Sequence, residues 1–221
     1  MKSFSKKSVH ARKLTFLTTF ALIFAVTGCS NADDESPDLE ETTDASVSDP
    51  MTYIPASEDG PAENVPEPPL PAEISEHSAR GAEAALRYFW EAEMYASLTG
   101  NTDPLMLVSS DDCAFCLESL EGWPSHYDQG YWSAAQGEIS IEVSRTLYGQ
   151  DEVDQDDIAF VYFELEEPPT DFFDESGALL EGSFDAVEKR DWVAELVYDD
   201  EDQSWLVNAL ALEELPTEGN S

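Results

Sequence analysis

Ile158-Ala159-Phe160-Val161-Tyr162-Phe163-Glu164-Leu165 decides the architecture. Side chains alternate across a strand, so Ala159, Val161 and Phe163 take one face and Ile158, Phe160 and Tyr162 the other. A short run that is β-branched, aromatic and apolar on both faces predicts a strand in the middle of a sheet. Upstream, Ile139, Ile141 and Val143 alternate with Glu138, Ser140, Glu142 and Ser144, which predicts a half-buried neighbour. Gly149 to Asp157 joins the two as a polar, acidic connection. Downstream, Glu166 to Gly182 reads as a loop with Pro168-Pro169 inside it. A third strand is expected from about Phe184 to Tyr198, a hairpin turn over Asp199 to Gln203, and a fourth strand from Trp205 to Leu212.

Helices precede this meander. Leu86, Phe89, Trp90, Met94 and Leu98 form a wide apolar stripe with Ala82, Ala85, Ala92 and Ala96 between them, so Ser78 to Leu98 predicts one long helix. Gly100 stands where a glycine ends such a helix. Asp103-Pro104 reads as a cap and first-turn proline opening a short helix through Val108. Asp111-Asp112 reads as the cap of a third helix over Cys113 to Leu120, interrupted by Gly122-Trp123-Pro124; His126 to Trp132 reads as a turn of helix and a loop. The fold class is α+β, with N-terminal helices packed on a curved antiparallel sheet of four or more strands. The order resembles the cone-shaped fold of nuclear transport factor 2-like proteins, which implies a pocket between the long helix and the sheet.

A second resemblance rests on Tyr88-Phe89-Trp90, Tyr95-Ala96, Thr99-Gly100, Pro104-Leu105, Cys113-x-x-Cys116 and Gly130-Tyr131. Together they are similar to an uncharacterised family of actinobacterial lipoproteins, from about Pro68 to the C-terminus. That resemblance implies a surface lipoprotein and no activity. Where such proteins commonly carry aspartate after the Thr-Gly pair, this chain has Asn101, with Asp103 two places on.

The N-terminus reads the same way. Lys2, Lys6, Lys7, Arg12 and Lys13 form a basic segment, and Leu14 to Val26 is an uncharged apolar run. The run is too short for a membrane span, which needs about 20 residues, and it suits a secretory signal. Val26-Thr27-Gly28-Cys29 resembles the bacterial lipobox, which implies cleavage before Cys29 and acylation of its thiol. Residues 1–28 are expected to be the signal peptide and 29–75 a lipid-anchored, disordered, acidic and proline-rich linker. Residues 76–215 are expected to form one domain and 216–221 a disordered tail. From Ser30 to Ser75 there are 8 prolines and 13 acids with no Lys or Arg, a composition that buries too little apolar surface to order itself.

From Cys29 onward five basic residues stand against 48 acids, a formal charge of −43. Such a surface repels nucleic acid and anionic headgroups. Cys113 and Cys116 read as a structural disulfide. The alternatives are a redox pair, which the flanking Asp111, Asp112 and Glu118 oppose, and a metal site, for which only His77 and His126 remain as further ligands. His126 beside Asp128 is not a dyad by spacing alone. Neither acidic loop, around Asp151 or around Asp199, has the spacing of a calcium loop. Tyr95, Trp123, His126, Tyr131 and Trp132 are the candidate residues of a pocket mouth. The sequence therefore predicts no catalytic residue, no metal and no cofactor. It predicts a monomeric lipoprotein held by Cys29 on the outer face of the cell membrane, binding a small ligand, envelope polymer or protein partner. A pocket enzyme of the hydratase or isomerase kind and an extracytoplasmic thiol oxidoreductase are the alternatives.

Overall fold

A computed structural model describes residues 52–150 and 157–213. The signal segment, Cys29, the first part of the linker and the 216–221 tail lie outside the described residues.

The sheet follows the sequence. β2 (Ser140–Gln150), β3 (Asp157–Glu167), β5 (Glu188–Asp199) and β6 (Ser204–Leu212) form an antiparallel sheet in the order β2-β3-β5-β6. β3 lies inside it, with Val161 opposite Thr146 on one side and Ala194 on the other. Ala159, Val161, Phe163 and Leu165 are buried, while Ile158, Phe160 and Tyr162 on the opposite face are only half-covered. There the Arg145 guanidinium lies 3.9 Å from the Tyr162 ring centre. The ladders shift register between Val143 and Arg145 and between Glu195 and Leu196.

The long helix α1 (Ala79–Thr99) is capped by the Ser78 hydroxyl, which accepts from the Gly81 amide at 3.2 Å, and ends at Gly100 with φ 72°. A Cβ at Gly100 would lie 2.7 Å from the Tyr127 ring, so glycine is required there for space and for conformation. Leu86, Phe89 and Trp90 of α1 join Val161, Phe163, Leu196, Trp205 and Val207 of the sheet in one core. α2 (Asp103–Met106) carries its proline in the first turn, with Thr102 rather than Asp103 at the cap position.

Several expectations are corrected. The composition predicts a disordered linker through residue 75 and a domain from residue 76, yet residues 52–75 are built into the fold. Ile54 and Glu63 bridge with both N···O distances at 2.9 Å, and Trp132 Nε1 donates to Ser57 O at 2.8 Å. The 3-10 turn Ala72–Ser75 buries Ile74, and the carbonyls of Ser75 and Glu76 accept from Tyr198 and Trp205. Composition predicted disorder because this segment buries little of its own. It is ordered by carbonyls that buried aromatic donors on the domain require.

The third helix, α3 (Ala114–Asp128), is capped by Cys113, whose sulfur accepts from the Cys116 amide at 3.2 Å, and not by Asp111 or Asp112. It runs unbroken through Gly122-Trp123-Pro124 and includes His126. Bonds from Trp123 Nε1 to Glu93 and from Tyr127 OH to Ser97 O pin it to α1 on both sides of the proline. Two short strands, β1 (Trp132–Ala135) and β4 (Thr170–Phe173), pair in a second sheet where loops were expected. β5 starts at Glu188 and not at Phe184, which instead bridges to Thr170.

Candidate functional site

Between α1, α3 and the open end of the sheet lies a cavity of about 210 Å³. The helical period brings Trp90, Glu93, Met94 and Ser97 of α1 to one wall, since residues three and four apart share a face. α3 adds Phe115 and Trp123. The sheet adds Trp192 and Arg190 from β5 and Glu167 from β3, and β4 adds Phe172. A more open hollow beside it shares Glu93, Phe115 and Trp123 and adds His126.

The rings form a connected set. Trp90 lies edge-on to Trp192 at 6.0 Å and Phe115 edge-on to Trp192 at 6.0 Å, while Trp123 and Phe172 are nearly parallel at 6.5 Å. Glu93 sits among them. Its Oε1 accepts from Ser119 Oγ at 3.0 Å and Trp123 Nε1 at 2.9 Å. Its Oε2 is shut off from solvent and has no partner.

Burial pushes the Glu93 carboxyl above the usual carboxylate range and the charge of Glu167 adds to the push, while the bonds from Trp123 and Ser119 oppose it. Glu167 is also raised, chiefly by burial, with Arg190 pulling it back and Glu188 adding to the rise. Arg190 is engaged by Glu188 next to it. Burial keeps His126 below its ordinary value, against a hydrogen bond to the Trp132 backbone that raises it.

Among the described residues, the buried side-chain polar atoms without a hydrogen-bond partner are Trp90 Nε1, Glu93 Oε2, His126 Nε2 and Trp192 Nε1. All four belong to residues that line this cavity or the hollow beside it. Buried polar groups in folded proteins are nearly always paired, so four in one place call for a cause. A wider groove of about 920 Å³, bounded by Leu70–Ser75, α2 and the β5–β6 turn, has no such atom among the described residues. Its Ser110 Oγ donates to Asn208 Oδ1 at 2.9 Å and its Ser109 Oγ to Leu105 O at 2.7 Å.

Of the five residues expected at a pocket mouth, the structure places Trp123 in the cavity's lining and His126 in the hollow beside it. Tyr95, Tyr131 and Trp132 lie outside the cavity's lining. Trp132 is instead packed on Phe173 at 5.7 Å and bonded to Ser57, which makes it part of the fold. Glu93, Glu167 and Trp192 were missed. Glu93 had one available signal, an acid between Ala92 and Met94 at the i+3 position from Trp90. The sulfurs of Cys113 and Cys116 are 2.04 Å apart, a disulfide distance, and both residues are fully buried. The exposure that a thiol oxidoreductase requires is therefore missing. His77 pairs with Asp157 at 2.7 Å, and no group of metal-ligating side chains occurs among the described residues.

A family of unknown function, DUF6318, matches residues 51–210, and the chain belongs to that family. No curated protein matches the chain. Among solved structures, the intermembrane space region of the chloroplast protein ARC6 is 15% identical, with 62% of this chain and 98% of that chain covered and a TM-score of 0.46.

Proposed function

We propose that this protein is a lipoprotein tethered through Cys29 to the outer face of a bacterial cell membrane, and that its domain binds a small ligand in the cavity beneath α1. The observation that carries the binding reading is the gathering of three unpartnered buried polar atoms around one cavity, on Trp90, Glu93 and Trp192, with a fourth, on His126, in the hollow beside it. Unpaired groups of this kind cost roughly 1–3 kcal/mol each. That cost is at home at a site built for something else. The Val26–Cys29 order and the apolar run before it carry the anchor. The kinship with nuclear transport factor 2-like cones and with actinobacterial lipoproteins belongs to this same reading. A long helix laid over an antiparallel sheet with a cavity between them supports the first, and the motifs around Tyr88 and Cys113 support the second.

The test is a nuclear magnetic resonance screen of small organic compounds against the purified full chain, read at the indole N–H signals of its five tryptophans. Ligands should move the Trp90 and Trp192 signals and leave Trp132 and Trp205 in place. Compounds that move none, or move all equally, defeat the reading. For the anchor, Cys29→Ala should release the protein from the membrane fraction; retention in that fraction defeats the anchor.

One observation favours a second reading. A carboxyl raised above the usual carboxylate range by burial among aromatic rings can serve as a general acid or base, which suits a hydratase or isomerase. Under that reading Glu93→Gln abolishes turnover of a compound that still binds.

A further inference from the structure

The walls and charges of the cavity select among ligands. Anions are disfavoured, because Glu93 and Glu167 both line the space and the surrounding chain carries a large negative charge. Arg190, the positive side chain in the lining, is already engaged by Glu188. A metal ion is disfavoured, because no ligand cluster occurs among the described residues. The volume, about 210 Å³, is somewhat more than the ~150 Å³ of an engineered dry cavity that takes benzene. The walls are aromatic, and an aromatic face attracts a desolvated cation.

We propose that the cavity takes a small organic cation of the substituted-ammonium class, its charge answered by Glu93 and Glu167 and its apolar groups by Trp90, Trp123 and Trp192. This rests on the ligand cavity proposed above. Glu93 Oε2 is closed to water, so the cation acts on it through charge across a poorly screening interior, where such attraction is strongest. The acidic surface draws cations toward the cavity. The groups that bear on the Glu93 carboxyl are Ser119 and Trp123 from α3 and Glu167 from β3, with Arg190 of β5 in the same lining. A bound cation favours the ionised carboxylate, so binding releases a proton wherever the free carboxyl is still protonated. Affinity then rises with pH up to the raised value of the free carboxyl and levels off above it.

The test uses the full lipidated chain in a nonionic detergent, with three probes: choline, its uncharged carbon isostere neohexyl alcohol, and glucose. Binding is followed by tryptophan fluorescence. Calorimetry in two buffers of different ionisation enthalpy counts the protons released. Choline is expected to bind, with affinity increasing from about pH 4 toward neutrality as a carboxyl ionises. Glu93→Gln, which keeps an acceptor for Trp123 and Ser119, should weaken choline by about tenfold or more and leave neohexyl alcohol unchanged. That second result shows the variant still folded with its cavity intact. Equal binding of choline and its isostere, or binding of glucose alone, overturns the cation and leaves the ligand cavity standing. If no probe binds, and no compound of the wider screen moves the Trp90 and Trp192 signals, both proposals fall together.

Discussion

The five tryptophans divide the interior into two regions. Near the start of α1, Trp205 Nε1 donates to Glu76 O at 2.8 Å, and Tyr198 beside it donates to Ser75 O at 3.1 Å. Toward the end of the domain that carries β1, Trp132 donates to Ser57 O at 2.8 Å. In each case an indole closes a gap in the fold and fixes a stretch of chain that would otherwise be loose. Around the cavity, Trp90 is as buried as these and Trp192 is half-buried, yet the indole nitrogens of both are closed to solvent and have nothing to donate to. Trp123 is bonded, but to Glu93, which is itself left half-satisfied. One residue type builds structure in the first region and walls a cavity in the second, and Trp90, at 3% exposed, is no less buried than Trp132, at 7%. Partnership, more than burial, separates the two.

Four substitutions test that division, from the largest effect to the smallest. Trp205→Ala removes a fully buried side chain and its bond to Glu76. Gly81 sits so close that a Cβ there would lie 2.9 Å from the Trp205 nitrogen and 2.2 Å from Glu76 O. The cost should be about 3–5 kcal/mol, read by urea denaturation. A loss below about 1 kcal/mol would mean that this end is not the structural region. Replacing Cys113 and Cys116 together by alanine removes the cross-link and the sulfur cap of α3. For so short a loop about 2 kcal/mol is expected, and unchanged stability under reducing agent would argue against it.

Trp132→Phe keeps the packing on Phe173 and deletes the bond to Ser57. About 1 kcal/mol should be lost, with faster hydrogen exchange confined to residues 52–64. Exchange that speeds up evenly over the domain would contradict the local role. Glu93→Gln should have the opposite sign. The folded state holds the Glu93 proton more tightly than the unfolded state does, so the carboxylate destabilises the fold above its raised value. That penalty fades as pH falls toward the ordinary glutamate value near 4.5. The variant should therefore melt higher than the parent at neutral pH, and the two should converge in acid. A variant less stable at neutral pH would move Glu93 from the second region to the first.

Much of the fold was legible. The alternation from Ile139 and the doubly apolar run from Ile158 gave the order of the main sheet, and the stripe from Leu86 to Leu98 gave α1 within a residue or so of its ends. β1 and β4 were not legible. Each is four residues long, and each becomes a strand because the other, 35 or more positions away, supplies its hydrogen bonds. The site was half legible, as Trp123 and His126 carry aromatic signals of their own. Glu93 reads on the page as one more acid among 48. Its distinction is that α3 and β5 close over it.

Periodicity, caps and composition determined, by themselves, the element types, the α+β class, the acidic surface and the lipobox-like resemblance. Those properties are local, fixed by which side chains alternate, which residues tolerate a positive φ and how charge is spread. Only the tertiary structure decided that residues 52–75 belong to the domain, which indoles find acceptors, and which carboxyl loses its water. Each of these depends on distances between segments far apart in the chain, and the worth of a polar group is set by what stands opposite it after folding.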